Sequence, residues 1–301
     1  MGDAGAADTG AEIPFQPFDH VRVATWNVWR FFDTVCDSGS CGRDDYEPRL
    51  SRAQFNARAD QVANGIRALD ADVVLLQEVE NAAVLEAIRA RLGRDYVAAV
   101  VGETGAHASL DVAALSRLPV LEVRRHRSRD LTRPDGSETH FSRELLELRL
   151  DAGHDLTLIA FVAHFRSKID DDPGRRFAEG ETTGTIVAAT ARAVPGALVL
   201  LGGDLNDTPG SPPLNALEAA GDLQRVAAEL GRAEATYRYD GRTIAIDHLY
   251  LVEGGPGSYV PSSAHVTRDP GWGYAGSDHA ALSAEFELKR SNSVGGTRPA
   301  R

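Results

Sequence analysis

Asn27 in TWN, Glu78 in QE, Asp204 and Asn206 in GDLN, Asp247 in IDH, and Asp278 with His279 in SDH all stand at the ends of short apolar runs. HFRSK adds His164 after LIAFVA. Taken singly, such residues are ordinary turn formers, because short polar side chains bond to nearby backbone amides. Taken together, they supply carboxylates, amides and imidazoles along one edge of a sheet core. Oxygen donors suit a hard divalent cation: Mg2+ takes one or two carboxylates, keeps waters and accepts phosphate oxygens, and Mn2+ can replace it. Zinc would call for more Cys and His. One imidazole can then help activate a water while the other supports charge on a phosphoryl oxygen or protonates a leaving group. Phosphate ester hydrolysis uses all three functions.

The elements that must position these groups are read from periodicity. Val21–Trp26 (VRVATW) reads as a strand delivering Asn27, and residues 28–50 as a loop. From Arg52 to Leu69 apolar residues recur at spacings of three and four, which predicts an amphipathic helix. Val73–Gln77 (VVLLQ) is continuously apolar, as in a strand covered on both faces, and Glu78 stands where it stops. Asn81 suits an N-cap for a helix to Leu92. Tyr96–Val101, Val112–Ser116, Val120–Arg124, Leu145–Leu150 and Leu156–Ala163 read as strands without intervening helices, which predicts antiparallel meanders. A helix over Arg176–Ala193 leads to the buried strand Leu198–Leu201 and its GGDLN. Pro212 and Pro213 open a helix through Ala220, and Ile244–Val252 and Ala280–Leu288 close the order as strands.

The 301 residues are 43% hydrophobic and 25% charged, enough apolar material for a large core, which excludes global disorder. No apolar run approaches the roughly 18–20 residues that cross a bilayer. The net charge of −12 argues against holding nucleic acid by bulk electrostatics and leaves room for a locally basic site. No long polar tract interrupts residues 19–289, so one α/β domain, two-layered on pattern alone, is favoured between flexible segments at 1–18 and 290–301. Cys36 and Cys41 flank a Gly/Ser-rich stretch able to bring them within disulfide range, with two free thiols as the alternative.

In order and spacing, TWN, LLQEVE, VAALSRLPV, HFRSK, GGDLNDTP, IDHLYL and GSDHAAL resemble the endonuclease/exonuclease/phosphatase superfamily, typified by pancreatic-type deoxyribonuclease, from about Val21 to Phe286. The resemblance implies a four-layered α/β/β/α sandwich with two mixed sheets and a site at one end. It implies metal positions at Asn27 and Glu78, with Glu78 the principal Mg2+ ligand, and a further metal-associated carboxylate at Asp278. Asp204 and Asn206 match the residues that orient or deprotonate the attacking water and hold the phosphate, and His164 a histidine that stabilises the transition state. Asp247 matches the carboxylate paired with His279, an arrangement that fixes an imidazole's tautomer. The general base stays open between Asp204 and His279. Asp111 is either a partner for His164 or a turn residue, and His248 points to the opposite face in a structural role.

FFDTV, HFRSK and GDLNDTP are closest to bacterial secreted nucleases, which implies a secreted or periplasmic enzyme cutting DNA, with RNA an open alternative, acting as a monomer. Export also suits the cysteine pair. Residues 1–18 hold no apolar signal core, and Met1, the only methionine, fits an initiator placed where an export segment was removed. RRHRSRDLTR carries a local charge of +4, so Arg124, Arg125 and Arg127, with Arg166, either contact substrate phosphates or belong to solvated loops. No aromatics interleave them, so sequence-specific reading is not expected. The acidic residues Asp33, Asp37, Asp44, Asp45 and Glu47 either hold a separate structural Ca2+ or are solvated, the latter favoured because no EF-hand spacing is present. Two rival readings remain: a same-fold enzyme acting on a small phosphate ester such as a lipid headgroup or nucleotide, and a catalytically silent phosphate-binding module.

Overall fold

The computed structural model describes residues 18–289. Alternation along the strands sorts their side chains into separate apolar layers. One sheet contains β1 (His20–Phe31), β2 (Val73–Val79), β3 (Ala98–Gly102) and β4 (Asp111–Ser116). The second contains β5 (Val120–Arg125), β6 (Leu146–Gly153), β7 (Leu156–His164), β8 (Ala197–Asp204), β9 (Leu223–Arg225) and β10 (Asp247–Val252). The chain then returns to the first sheet with β11 (Gly257–Tyr259), β12 (His265–Thr267) and β13 (Ala281–Leu288). The orders are β11–β13–β1–β2–β4–β3, with β12 also on β13, and β9–β10–β8–β7–β6–β5. Within each sheet a single pair is parallel, β1 with β2 and β7 with β8.

Val23, Val73 and Leu75 face Leu148, Val162, Leu200 and Leu249 between the sheets. Their neighbours Ala24, Val74 and Leu76 point the other way, under α1 (Arg52–Leu69) and α2 (Ala82–Leu92). On the second sheet Ile159, Phe161 and Leu201 lie under α3 (Pro173–Ala193) and α4 (Pro212–Gly221). Both faces of each sheet are therefore covered, and each large apolar side chain so buried stabilises the fold by roughly 1.5–3 kcal/mol. The architecture is the four-layered α/β/β/α sandwich, not the two layers that local pattern alone suggested. No helix among the described residues is long and apolar enough to cross a membrane.

The remaining differences have local causes. β1 continues past Trp26 to Phe31 through a register shift, and only residues 32–51 lack regular structure. α3 starts a turn early because Asp172 caps it, accepting from the Arg175 N–H at 2.9 Å, and Pro173 supplies a preset φ. The strand expected over Ile244–Val252 is split, since Thr236 Oγ1 takes the backbone N–H groups of Ile246 and Asp247. Cys36 and Cys41 form a disulfide, with Cα atoms 5.9 Å apart. The expected flexible segments lie outside the described residues, except Phe18, whose N–H donates to the Ala152 carbonyl at 2.8 Å.

Candidate active site

On the second sheet, the placement follows from strand register. Asp204 is the register partner of His164 on β7 and of Asp247 on β10, so three side chains stand on one level of three adjacent strands. Side chains at paired positions share a face. Close approach here needs Gly203, where a Cβ would sit 1.9 Å from the Ala163 carbonyl oxygen. His164 Nε2 lies 3.7 Å from Asp204 Oδ2. Asn206, at φ 53°, donates its N–H to Asp204 Oδ1 (2.9 Å) and its Nδ2 to the Phe165 carbonyl (3.2 Å).

The first sheet reaches the same end through an irregular backbone. Trp29, Arg30 and Glu78 have φ of 58°, 45° and 64°, left-handed conformations that cost non-glycine residues roughly 1–3 kcal/mol each. The distortion lets Glu78 accept from Asn27 Nδ2 (3.1 Å) and the Arg30 N–H (2.7 Å). Asn27 Nδ2 also donates to Asp204 Oδ2 at 3.0 Å, tying the two sheets together. Ser277 Oγ donates to the Asn27 carbonyl (2.7 Å) and accepts from the His279 N–H (3.0 Å), fixing the SDH turn on β1. His279 Nδ1 then donates to Asp247 Oδ2 at 2.8 Å, and its Nε2 lies 3.9 Å from Asp204 Oδ2.

Burial alone would depress the His279 pKa, but Asp247, with Asp204 and Asp278 behind it, outweighs burial and holds the ring above its ordinary value. His164 goes the other way: burial, reinforced by the Arg143 and His279 charges, holds it well below the usual histidine range. One imidazole thus favours a charged form and its neighbour a neutral one. Burial and the Asp247 charge raise Asp204, and burial raises Asp278, with Glu78 adding to it.

Ligand atoms of Asp204, Asp247 and His279 all lie within 4.8 Å of one another. Their short hydrogen bonds already commit His279 Nδ1 to Asp247 and Asp204 Oδ2 to Asn27, an arrangement suited to passing a proton. Asp278 Oδ1 is buried without a hydrogen-bond partner. With Glu78 it offers carboxylate oxygens of the kind a hard divalent cation takes, while Asn27 turns its Nδ2 toward Glu78 and Asp204 and its Oδ1 to the Trp29 N–H.

Asn27, Glu78, His164, Asp204, Asn206, Asp247, Asp278 and His279 thus come together at one end of the sandwich. Among the described residues, Arg124, Arg125, Arg127 and Arg166 make no hydrogen bond or ion pair with this group. Arg124 pairs with Glu122 (2.7 Å), and Arg166 Nη2 donates to the Asp170 carbonyl (2.9 Å). Arg125 and Arg127 line an open cavity of about 420 Å3 with Glu103, His140 and Glu144, their guanidiniums docked on the Val101 and Thr104 carbonyls. Asp111 accepts from the Thr104 N–H and Ser109 Oγ and makes no hydrogen bond to His164, whose Nδ1 has no partner. His248 Nε2 donates to the Asp207 carbonyl at 2.9 Å, away from the site. In the acidic loop, Asp33, Asp45 and Glu47 are occupied by backbone N–H groups of the loop itself.

Sequence reasoning missed several supporting residues. Tyr237 stacks on His279, with ring centroids 4.7 Å apart. Glu179, buried in α3, accepts from the Ser142 and Arg166 N–H groups at 2.6 Å each, clamping the loops beside Arg143 and His164. Neither carries a motif. Ser277 could have been suspected from its place in SDH.

Two mixed sheets packed face to face, helices outside, and carboxylates and imidazoles converging on one end define the class of this protein. Residues 24–279 match the Endonuclease/Exonuclease/phosphatase family, and the chain belongs to it. Members of that family are phosphoric ester hydrolases that depend on a divalent metal. Among solved structures, it is similar to the human Nocturnin catalytic domain with bound sulfate, at 15% identity and TM-score 0.64, covering 90% of this chain and 95% of that one. It is similar to truncated Caenorhabditis elegans TDP2 at 21% identity and TM-score 0.59, covering 89% and 98%. The D. rerio TDP2 complex with a single-strand DNA product gives 16% identity and TM-score 0.60, covering 89% and 99%. At such identities the likeness shows the fold. No curated protein matches the chain in sequence.

Proposed function

We propose that this protein is a Mg2+-dependent phosphodiesterase that hydrolyses nucleic acid, DNA foremost, by water attack at phosphorus, without sequence preference and in a secreted or periplasmic setting. The observation that carries the reading is the convergence of His279, backed by Asp247, with Asp204 and, through Asn27, Glu78. Glu78 and Asp278, with Asn27, would hold the cation, which when bound neutralises charge on the phosphoryl group. Either Asp204 or His279, the latter only in its neutral form, takes the proton of the attacking water, and Asp247 fixes the imidazole's tautomer. Asn206 holds the phosphate. His164, kept neutral, donates a hydrogen bond to a phosphoryl oxygen as charge builds there. The disulfide supports the oxidising location, and the solved complex of a similar fold with a DNA product supports the substrate class. Arg125 and Arg127, which line a separate open cavity, are the cationic side chains proposed to meet a backbone phosphate.

The test is incubation with plasmid DNA and Mg2+, with and without chelator, beside a small phosphodiester. Nicking and linearisation abolished by chelator is the expected result. Intact plasmid beside rapid cleavage of the small ester would reject the nuclease reading.

A further inference from the structure

Tyr46 has no part in the chemistry above, yet it is 55% exposed next to it. It sits on the loop between β1 and α1, which lacks regular structure and is nonetheless heavily tied down. The Cys36–Cys41 disulfide closes one turn. Glu47, fully buried, accepts from the Asp37 and Ser38 N–H groups at 2.7 and 2.6 Å. Arg30 Nη2 donates to the carbonyls of Asp45 (2.9 Å) and Tyr46.

The ring itself is braced on two sides. The Arg30 guanidinium lies 5.1 Å from its centroid, and Phe32 meets it edge-on at 5.6 Å. Phe32 is in turn buried with Ala108 and Leu110. The same Arg30 gives its backbone N–H to Glu78, so the ring is built onto the segment that orients this carboxylate. Burial raises the Tyr46 hydroxyl, with Arg143 opposing and Glu78 adding to the shift, so charges of the candidate site act on that end of the ring. A loop tied down in this way that holds an aromatic ring open to solvent beside the reacting centre forgoes the burial that would stabilise it, and a planar ligand would restore that burial.

We propose that Tyr46 is a substrate-positioning residue whose exposed ring stacks on the base of the nucleotide beside the scissile phosphate. This rests on the nuclease reading and deepens it: the fold supplies, from a distant segment, the aromatic platform that the arginine-rich stretch lacks. Every base presents a flat face, so such stacking tolerates any sequence.

The experiment uses an oligonucleotide with one scissile phosphodiester, made with normal bases or with abasic positions flanking it. KM and kcat are measured with Mg2+ for the full chain, Tyr46→Ala and Tyr46→Phe, and binding is followed by fluorescence anisotropy in chelator. Stacking predicts that the unaltered protein favours the base-bearing substrate by about five- to a hundredfold, mostly in KM. Tyr46→Ala should bring that ratio to within about twofold of unity, and Tyr46→Phe should keep it. Anisotropy should show the same pattern. A ratio unchanged in Tyr46→Ala, or Tyr46→Phe as damaging as Tyr46→Ala, overturns the proposal while leaving the nuclease reading intact. If the unaltered protein cuts neither oligonucleotide, the nuclease reading falls and the proposal with it. Melting curves of both variants confirm that they fold.

Discussion

The two sheets bring their share of the site to the same end by different means. In the second sheet, His164, Asp204 and Asp247 are register partners on adjacent regular strands, and ordinary pairing sets them side by side. In the first, Asn27 and Glu78 meet only because β1 and β2 break register and Trp29, Arg30 and Glu78 adopt positive φ. The regular rim carries buried, mutually coupled groups suited to moving protons. The distorted rim holds the Glu78 carboxylate against the Asn27 amide and the Arg30 N–H, the placement proposed for the cation's side of the site. The Asn27 amide, donating to both Glu78 and Asp204, joins the two. Regular pairing fixes spacing between neighbours cheaply in conformational terms, whereas convergence on a single point requires strain.

This division can be broken by experiment. Glu78→Gln and Asp204→Asn should each lower the rate of plasmid cleavage by about a thousandfold or more, but only the Glu78→Gln defect should ease as Mg2+ is raised. Initial rates over a Mg2+ titration check this; equal rescue of both would erase the distinction. His279→Ala should cost about two to four powers of ten in kcat, and circular dichroism should show the fold retained.

Stability gives a further contrast. His248 on β10 is pushed down to about 4 by burial, so between its unfolded value and that point the unfolded chain binds the extra proton. Its contribution is present above about pH 6.5 and lost as pH falls to about 4, a change of about 3 kcal/mol. Denaturant unfolding of the natural chain and His248→Gln across that window should show the smaller acid loss in the variant. On the distorted side, Cys36→Ser with Cys41→Ser opens a very short loop and should cost about 2 kcal/mol or less, read as a fall in melting temperature.

The same contrast explains what could be read from the amino acids alone. VVLLQ before Glu78 and LVLLGG before Asp204 announce buried strands ending in carboxylates, because strands covered on both faces leave polar groups only at their tips. Register could not be read, so the alignment of His164 with Asp204 rested on the family resemblance. The bulge beyond Asn27 has no glycine to mark it, and β1 consequently looked five residues shorter than its Phe31 end. Thr236, Tyr237 and Glu179 act through contacts distant in sequence, which no local spacing records.

The central claim is that water, activated at the Asp204–His279 pair, displaces an alkoxide from phosphorus. Cleavage of a defined oligonucleotide in 18O-labelled water, followed by mass spectrometry of the products, tests it most directly. One labelled oxygen in the new phosphate end for each bond cut, and no cleavage in chelator, is the predicted result. Label in the sugar hydroxyl product, or undiminished cleavage in chelator, would contradict it.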